Sequence, residues 1–253
     1  MRKPLSKPLR IAAGIACALI APSAGMTQAN VWTPPEGCAV FLTVQSKACR
    51  VSNYYRCESD QKGDQWRADF DQEGLFFRSR INAEAEWVES IEGNGFGPEV
   101  HQYLDPDPAD RASFTELLET GIDTFDFTLA RSDGGHSRVT GYDRLTGQMM
   151  TIDGVQLEQT EFEFTEIDDY GNTLRRANGN EYISRDMRTF FSGAEQVDLG
   201  NGEWLPLDGT PLRFFFPGQK GFAAKQPLFD CDALTADVTE NPLLWRVSSD
   251  KQR

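Results

Sequence analysis

GCAVFLTVQSKACRVSNYYRC, residues 37–57, sets the first strands and the covalent frame of this chain. CAVFLTVQ and CRVSNYYRC are rich in β-branched and aromatic residues and alternate or run apolar, the pattern of paired strands. A two-residue loop at Lys47-Ala48 would join them as a hairpin. In that register, residues whose numbers sum to 95 lie opposite each other, so Cys38 faces Cys57. Directly opposed residues sit ~4.5–5.5 Å apart, close to what a disulfide requires.

This hairpin holds three of the chain's five cysteines, and the other two are Cys17 and Cys231. Cys17 lies in a leader that reads as a cleaved signal, so Cys231 is the partner left for Cys49. A zinc site usually places cysteines in pairs at C-x₂₋₄-C spacing. Here 10, 7 and 173 residues intervene, and neither histidine is near. A thiol redox motif needs C-x-x-C, which is absent. The expectation is therefore two disulfides, Cys38–Cys57 and Cys49–Cys231, with no metal and no cofactor.

Residues 1–29 differ from the rest. Arg2, Lys3, Lys7 and Arg10 precede an apolar run of eleven, IAAGIACALIA (11–21), with no acid among them. A bilayer span needs ~20 apolar residues. A basic start, a short apolar run and a small-residue exit ending at Thr27-Gln28-Ala29 read as a secretory signal peptide cleaved near Ala29. Residues 30–253 are then one disulfide-stapled β domain, periplasmic or secreted from a bacterial envelope, with no apolar run long enough to span a membrane. Without the leader the chain has 21 basic against 39 acidic residues, a net charge of −18. Such acidity favours solubility and argues against binding nucleic acid by general attraction.

Turn signals recur about every ten residues through the body, among them QKGD (61–64), SDGG (132–135), IDG (152–154), ANGN (177–180) and PGQKG (217–221). Between them short stretches alternate. Trp66, Ala68 and Phe70 oppose Arg67 and Asp69; Phe125, Phe127 and Leu129 oppose Asp126 and Thr128; Ile183, Met187 and Phe191 are expected to share a face. LRFFFPG (212–218), apolar on both faces, reads as a central strand. DPDPADRASFTELLETG (105–121) carries Phe114, Leu117 and Leu118 at helical spacing and reads as a helix over 108–120. Evenly spaced strands joined by tight turns make an antiparallel meander, and a sheet of ten or so strands must curl or split. The expected fold is mainly β: a meander curled into a barrel or half-barrel with one inserted helix, the alternative being a two-sheet β-sandwich.

Catalytic motifs are missing. GGHSRV (134–139) lacks the last glycine of G-x-S-x-G, and Ser59-x-x-Lys62 falls in a polar turn where that pair needs a helix start. Asp105, Asp107 and Asp110 suit a helix N-terminus better than a calcium loop. His101 and His136 show no ligand spacing, and Glu161, Glu163 and Thr165 form one polar face of a strand. The remaining candidates are Arg78, Arg80, Arg185 and Arg188, interleaved with apolar residues. If they faced inward they would line a cavity suited to an apolar or amphiphilic small molecule with an anionic head. If they faced outward they would pair with the many acids. The functional expectation is a non-catalytic protein that binds or carries such a ligand. The alternatives are a module that docks on another envelope protein, and a hydrolase whose residues meet only in space.

Overall fold

A computed structural model describes residues 31–93 and 98–231; the leader lies outside them. Six strands come first: β1 (Cys38–Ser46), β2 (Arg50–Cys57), β3 (Gln65–Phe70), β4 (Leu75–Ile81), β5 (Trp87–Glu92) and β6 (Val100–Leu104). One helix, α1 (Phe114–Thr120), precedes β7 (Ile122–Arg131), β8 (His136–Ile152), β9 (Val155–Asp168) and β10 (Thr173–Ser184). β11 (Thr189–Asp198), β12 (Trp204–Asp208) and β13 (Pro211–Phe215) complete the order. All thirteen strands form one antiparallel sheet in which β12 to β1 run in unbroken sequence and β13 returns to pair with β1.

The two edges, β12 and β13, are not paired with each other. Only Gly209 and Thr210 separate them along the chain, so the sheet curls far enough to bring its edges together at one corner. Gly209 N–H donates to Gly193 O (2.8 Å), Lys47 N–H donates to Thr210 O (3.0 Å), and Lys47 Nζ pairs with Asp208 (2.7 Å) at that corner. Register shifts in the β1–β2, β3–β4, β8–β9 and β10–β11 pairs supply extra local twist. Pro206, within the β12 edge, lacks the N–H that an added strand would need.

Both expected disulfides are present: Cys38–Cys57 across the first hairpin and Cys49–Cys231 across 182 residues. The hairpin register corrects the two-residue loop. The turn takes three residues, with Ala48 and Cys49 at positive φ, and pairs Ser46 with Arg50. A bulge between Val40 and Leu42 then shifts the pairing by one, which restores Cys38 opposite Cys57. The left-handed conformation of Cys49 turns its sulfur out of the hairpin toward Cys231.

Trp66, Ala68 and Phe70 do share a face, on which Val51, Tyr55, Ala68 and Phe70 are buried. The terminal segments cover it. Trp32 packs edge-on against Tyr55 (5.1 Å) and Phe70 (5.6 Å). Asn53 Nδ2 donates to Ala224 O (2.8 Å), and Gln45 clasps Gln226 O (3.0 Å) and Leu228 N–H (2.9 Å). The opposite face of β1–β3, carrying Leu42, Tyr54 and Arg67, turns inward toward β9–β11, where Tyr54 meets Phe191 at 5.6 Å.

Three expectations are corrected. The helix is shorter than 108–120: it starts at Phe114, with Ser113 Oγ accepting from Glu116 N–H, and ends at Gly121 in the left-handed region. Pro106 and Pro108 keep the preceding stretch extended, and Asp110 bridges to Asp126. Ile183 and Phe191 face opposite ways. The turn between β10 and β11 resets the register, so Ile183 packs with Phe114 and Leu117 while Phe191 joins Leu42 and Tyr54. LRFFFPG supplies an edge strand, not a central one; Phe214 is buried because the β8–β9 hairpin end (Met150, Ile152, Val155) packs in the same cluster.

Candidate functional site

The row Tyr54–Arg67–Ser79 runs across β2, β3 and β4 as direct cross-strand partners, with Gln65 and Ile81 paired beside it. Facing this row are Thr189 and Phe190 of β11 and Ala85 of the β4–β5 loop, and between them lies a cavity of about 110 Å³. Helix α1 packs beside the region, where Phe114 and Leu117 cluster with Ile183, Ala85 and Phe190, but no α1 residue lines the cavity. The cavity walls are therefore mixed: Ile81, Ala85 and Phe190 are apolar, while Tyr54, Gln65, Arg67, Ser79 and Thr189 carry polar groups; the Trp66 side chain belongs to the opposite face of β3.

Gln65 is held by its amide nitrogen, which donates to Met187 O (2.7 Å) and Arg188 O (3.3 Å) in the β10–β11 turn. Its Oε1 is buried without a partner, as is Oδ1 of Asp69. Arg67 Nε lies 3.1 Å from Asp69 Oδ2. Burial pushes the Tyr54 hydroxyl up to about 12, against the pull of the adjacent Arg67.

A second polar group spans β7 to β10. Asp123 and Asp143 are direct cross-strand partners, as are Thr160 and Glu181. Burial first, then the charges of Asp143 and Glu195, raise Glu181 well above the usual carboxylate range, with Arg67 and Arg50 opposing. Asp143 is raised by burial and by Asp123. Asp123 rises to about 6, mainly by burial; the Ser113 N–H bond opposes this (2.9 Å), and the charges of Glu116, Asp110 and Glu84 reinforce it. Arg67, Asp143 and Glu181 are each half-buried, and of the three only Arg67 lines the cavity.

The four arginines singled out from the sequence each hold a different carboxylate, and none lines the cavity. Arg78 pairs with Glu99 (2.6 Å) and Arg80 with Asp64 (2.8 Å) and Glu89 (3.2 Å), both on the face opposite Arg67. Arg185 binds Glu158 (2.8 Å). Arg188 comes nearest the cavity: it donates to Ala83 O (2.7 Å), Glu84 (3.0 Å) and Thr115 (3.0 Å) and lies over Phe114, fastening the start of α1 to the β4–β5 loop.

His136 and Ser137 do not converge, since they are neighbours on one strand. His136 is exposed beside Asp169 (3.5 Å), while Ser137 is buried and donates to Glu166 (2.7 Å). His101 meets the Tyr103 hydroxyl (3.1 Å). Among the described residues no group of three or more His, Cys, Asp and Glu is arranged to hold a metal ion, and no helix is long and apolar enough to cross a membrane. Comparison with protein-family models, with curated proteins and with solved structures finds no match in any of the three.

Sequence reasoning missed Gln65, Arg67, Asp69, Asp143 and Glu181. The one signal available was polar alternation along Gln65–Arg67–Asp69, which reads equally as a wet outer face.

Proposed function

We propose that this is an exported, periplasmic, non-catalytic protein that binds a small amphiphilic molecule in the cavity between β2–β4 and β11. The observation that carries the reading is the cavity itself, whose lining sets the apolar Ile81, Ala85 and Phe190 beside the polar groups of Tyr54, Gln65, Arg67, Ser79 and Thr189. Two disulfides fit an oxidising compartment outside the cytoplasm, and the basic leader with its short apolar run supports export. The size of the cavity narrows the ligand class. Typical ligand pockets hold ~300–1,000 Å³, so about 110 Å³ suits a head group with a short chain, not a full acyl chain. A binding role is favoured over hydrolysis because His136 and Ser137 point to opposite faces and no nucleophile–base pair lines the cavity.

The test begins with protein exported to the envelope, purified without detergent and weighed by native mass spectrometry. A co-purified small molecule that is lost in a Ser79→Leu variant, whose added bulk fills the cavity, is the expected result. Protein that carries nothing, and whose Ile81 methyl resonance is unmoved by any short-chain amphiphile, refutes the reading.

A further inference from the structure

We infer that the polar end of the ligand is a hydrogen-bond donor, a hydroxyl or an ammonium group, and not an anion. The inference rests on the cavity reading above and names the head group that the cavity takes. An arginine in an apolar-walled space invites a negative ligand, but Arg67 already has one: Asp69 Oδ2, 3.1 Å from its Nε. The unused hydrogen-bonding capacity on this strand face is of the other kind. Gln65 Oε1 and Asp69 Oδ1 flank Arg67, have no partner, and belong to residues only 4% and 1% exposed. The Gln65 amide cannot turn to offer its nitrogen, because that nitrogen is spent on the carbonyls of Met187 and Arg188. Both free atoms accept and neither donates. Two donors are unspent as well, the Nε atoms of Arg67 and Arg50, but the first is held electrostatically by Asp69. A buried acceptor left unmade costs ~1–3 kcal/mol, so a ligand that donates to Gln65, the one of these acceptors that lines the cavity, removes a penalty, whereas an anion there meets the lone pairs of Gln65 and the nearby charge of Asp69.

The experiment uses three probes of equal chain length: 1-butanol, n-butylammonium and butyrate. Each is titrated into the intact, oxidised protein while the Ile81 and Ala85 methyl resonances are followed. Saturable shifts with the alcohol or the ammonium at a Kd at least tenfold below that of butyrate are expected. Gln65→Met should weaken the donor probe several-fold and leave butyrate unweakened. The stronger of the two donor probes tells hydroxyl from ammonium. Butyrate binding as tightly as both donors overturns the inference while leaving the cavity reading intact. No saturable shift with any of the three removes the cavity reading, and the inference with it.

Discussion

Replacing Asp123 by asparagine should make the protein more stable at neutral and alkaline pH and change the slope of its pH–stability curve. Asp123 is 4% exposed, and its carboxyl is raised from 3.8 to about 6. The folded protein therefore keeps the Asp123 proton over a range where the unfolded chain has released it. Stability from this group is fully present below about pH 4 and is lost as pH rises through about 6. A difference of about 2 pKa units at ~1.4 kcal/mol each gives at most ~3 kcal/mol of penalty at pH 8. Asparagine keeps an oxygen to accept the Ser113 N–H and carries no charge at any of these pH values. Carboxylates whose values are lowered, such as Asp198 beside Arg176 and Asp208 beside Lys47, work in the opposite sense. They are common to both proteins and cancel in the comparison. The assay is urea unfolding followed by tryptophan fluorescence at pH 4 to 8, wild type against Asp123→Asn. The variant's advantage should grow by about 2–3 kcal/mol between pH 4 and pH 8, or ~5–12 °C in Tm. Parallel curves, or an advantage that shrinks with rising pH, would show that Asp123 is not a buried, proton-holding group.

Other perturbations have defined sizes. By chain-entropy reasoning, losing the 182-residue closure in a Cys49→Ser/Cys231→Ser protein costs ~5 kcal/mol and losing Cys38–Cys57 ~3 kcal/mol, so denaturant midpoints should fall more for the first pair. Gly141→Ala should destabilise by ~1–3 kcal/mol in thermal unfolding, because an added Cβ would lie 2.3 Å from Glu163 O and 2.8 Å from Phe125. Ser113→Ala removes the cap of α1 and should cost ~1 kcal/mol, seen as faster amide exchange at Glu116.

The fold was legible where spacing alone decides geometry. The first hairpin placed Cys38 opposite Cys57 because strand pairing leaves few other partners, and a one-residue bulge absorbed the error in the loop. The alternation of Trp66, Ala68 and Phe70 was equally plain. What alternation does not say is which face looks inward. On β3 the apolar face is roofed by Trp32 and the 223–228 segment, far apart in sequence, and this turns the polar Arg67 face toward the interior. The acids of DPDPAD mimic a helix start, yet their prolines keep the chain extended until Ser113 supplies a true cap. Asp143 and Glu181 were invisible among 39 acidic residues because their distinction is enclosure by strands 38 positions apart.

The long disulfide also dictates an order of assembly. Synthesis runs from the N-terminus, so Cys38, Cys49 and Cys57 all emerge before Cys231, which follows the last strand. Throughout that interval Cys49 is an unmatched thiol only a few residues from Cys57, and a premature link between them would bar the hairpin from its proper pairing. Once Cys38 and Cys57 are joined, the hairpin holds no other thiol for Cys49, so closing the short bridge first leaves Cys231 as its partner.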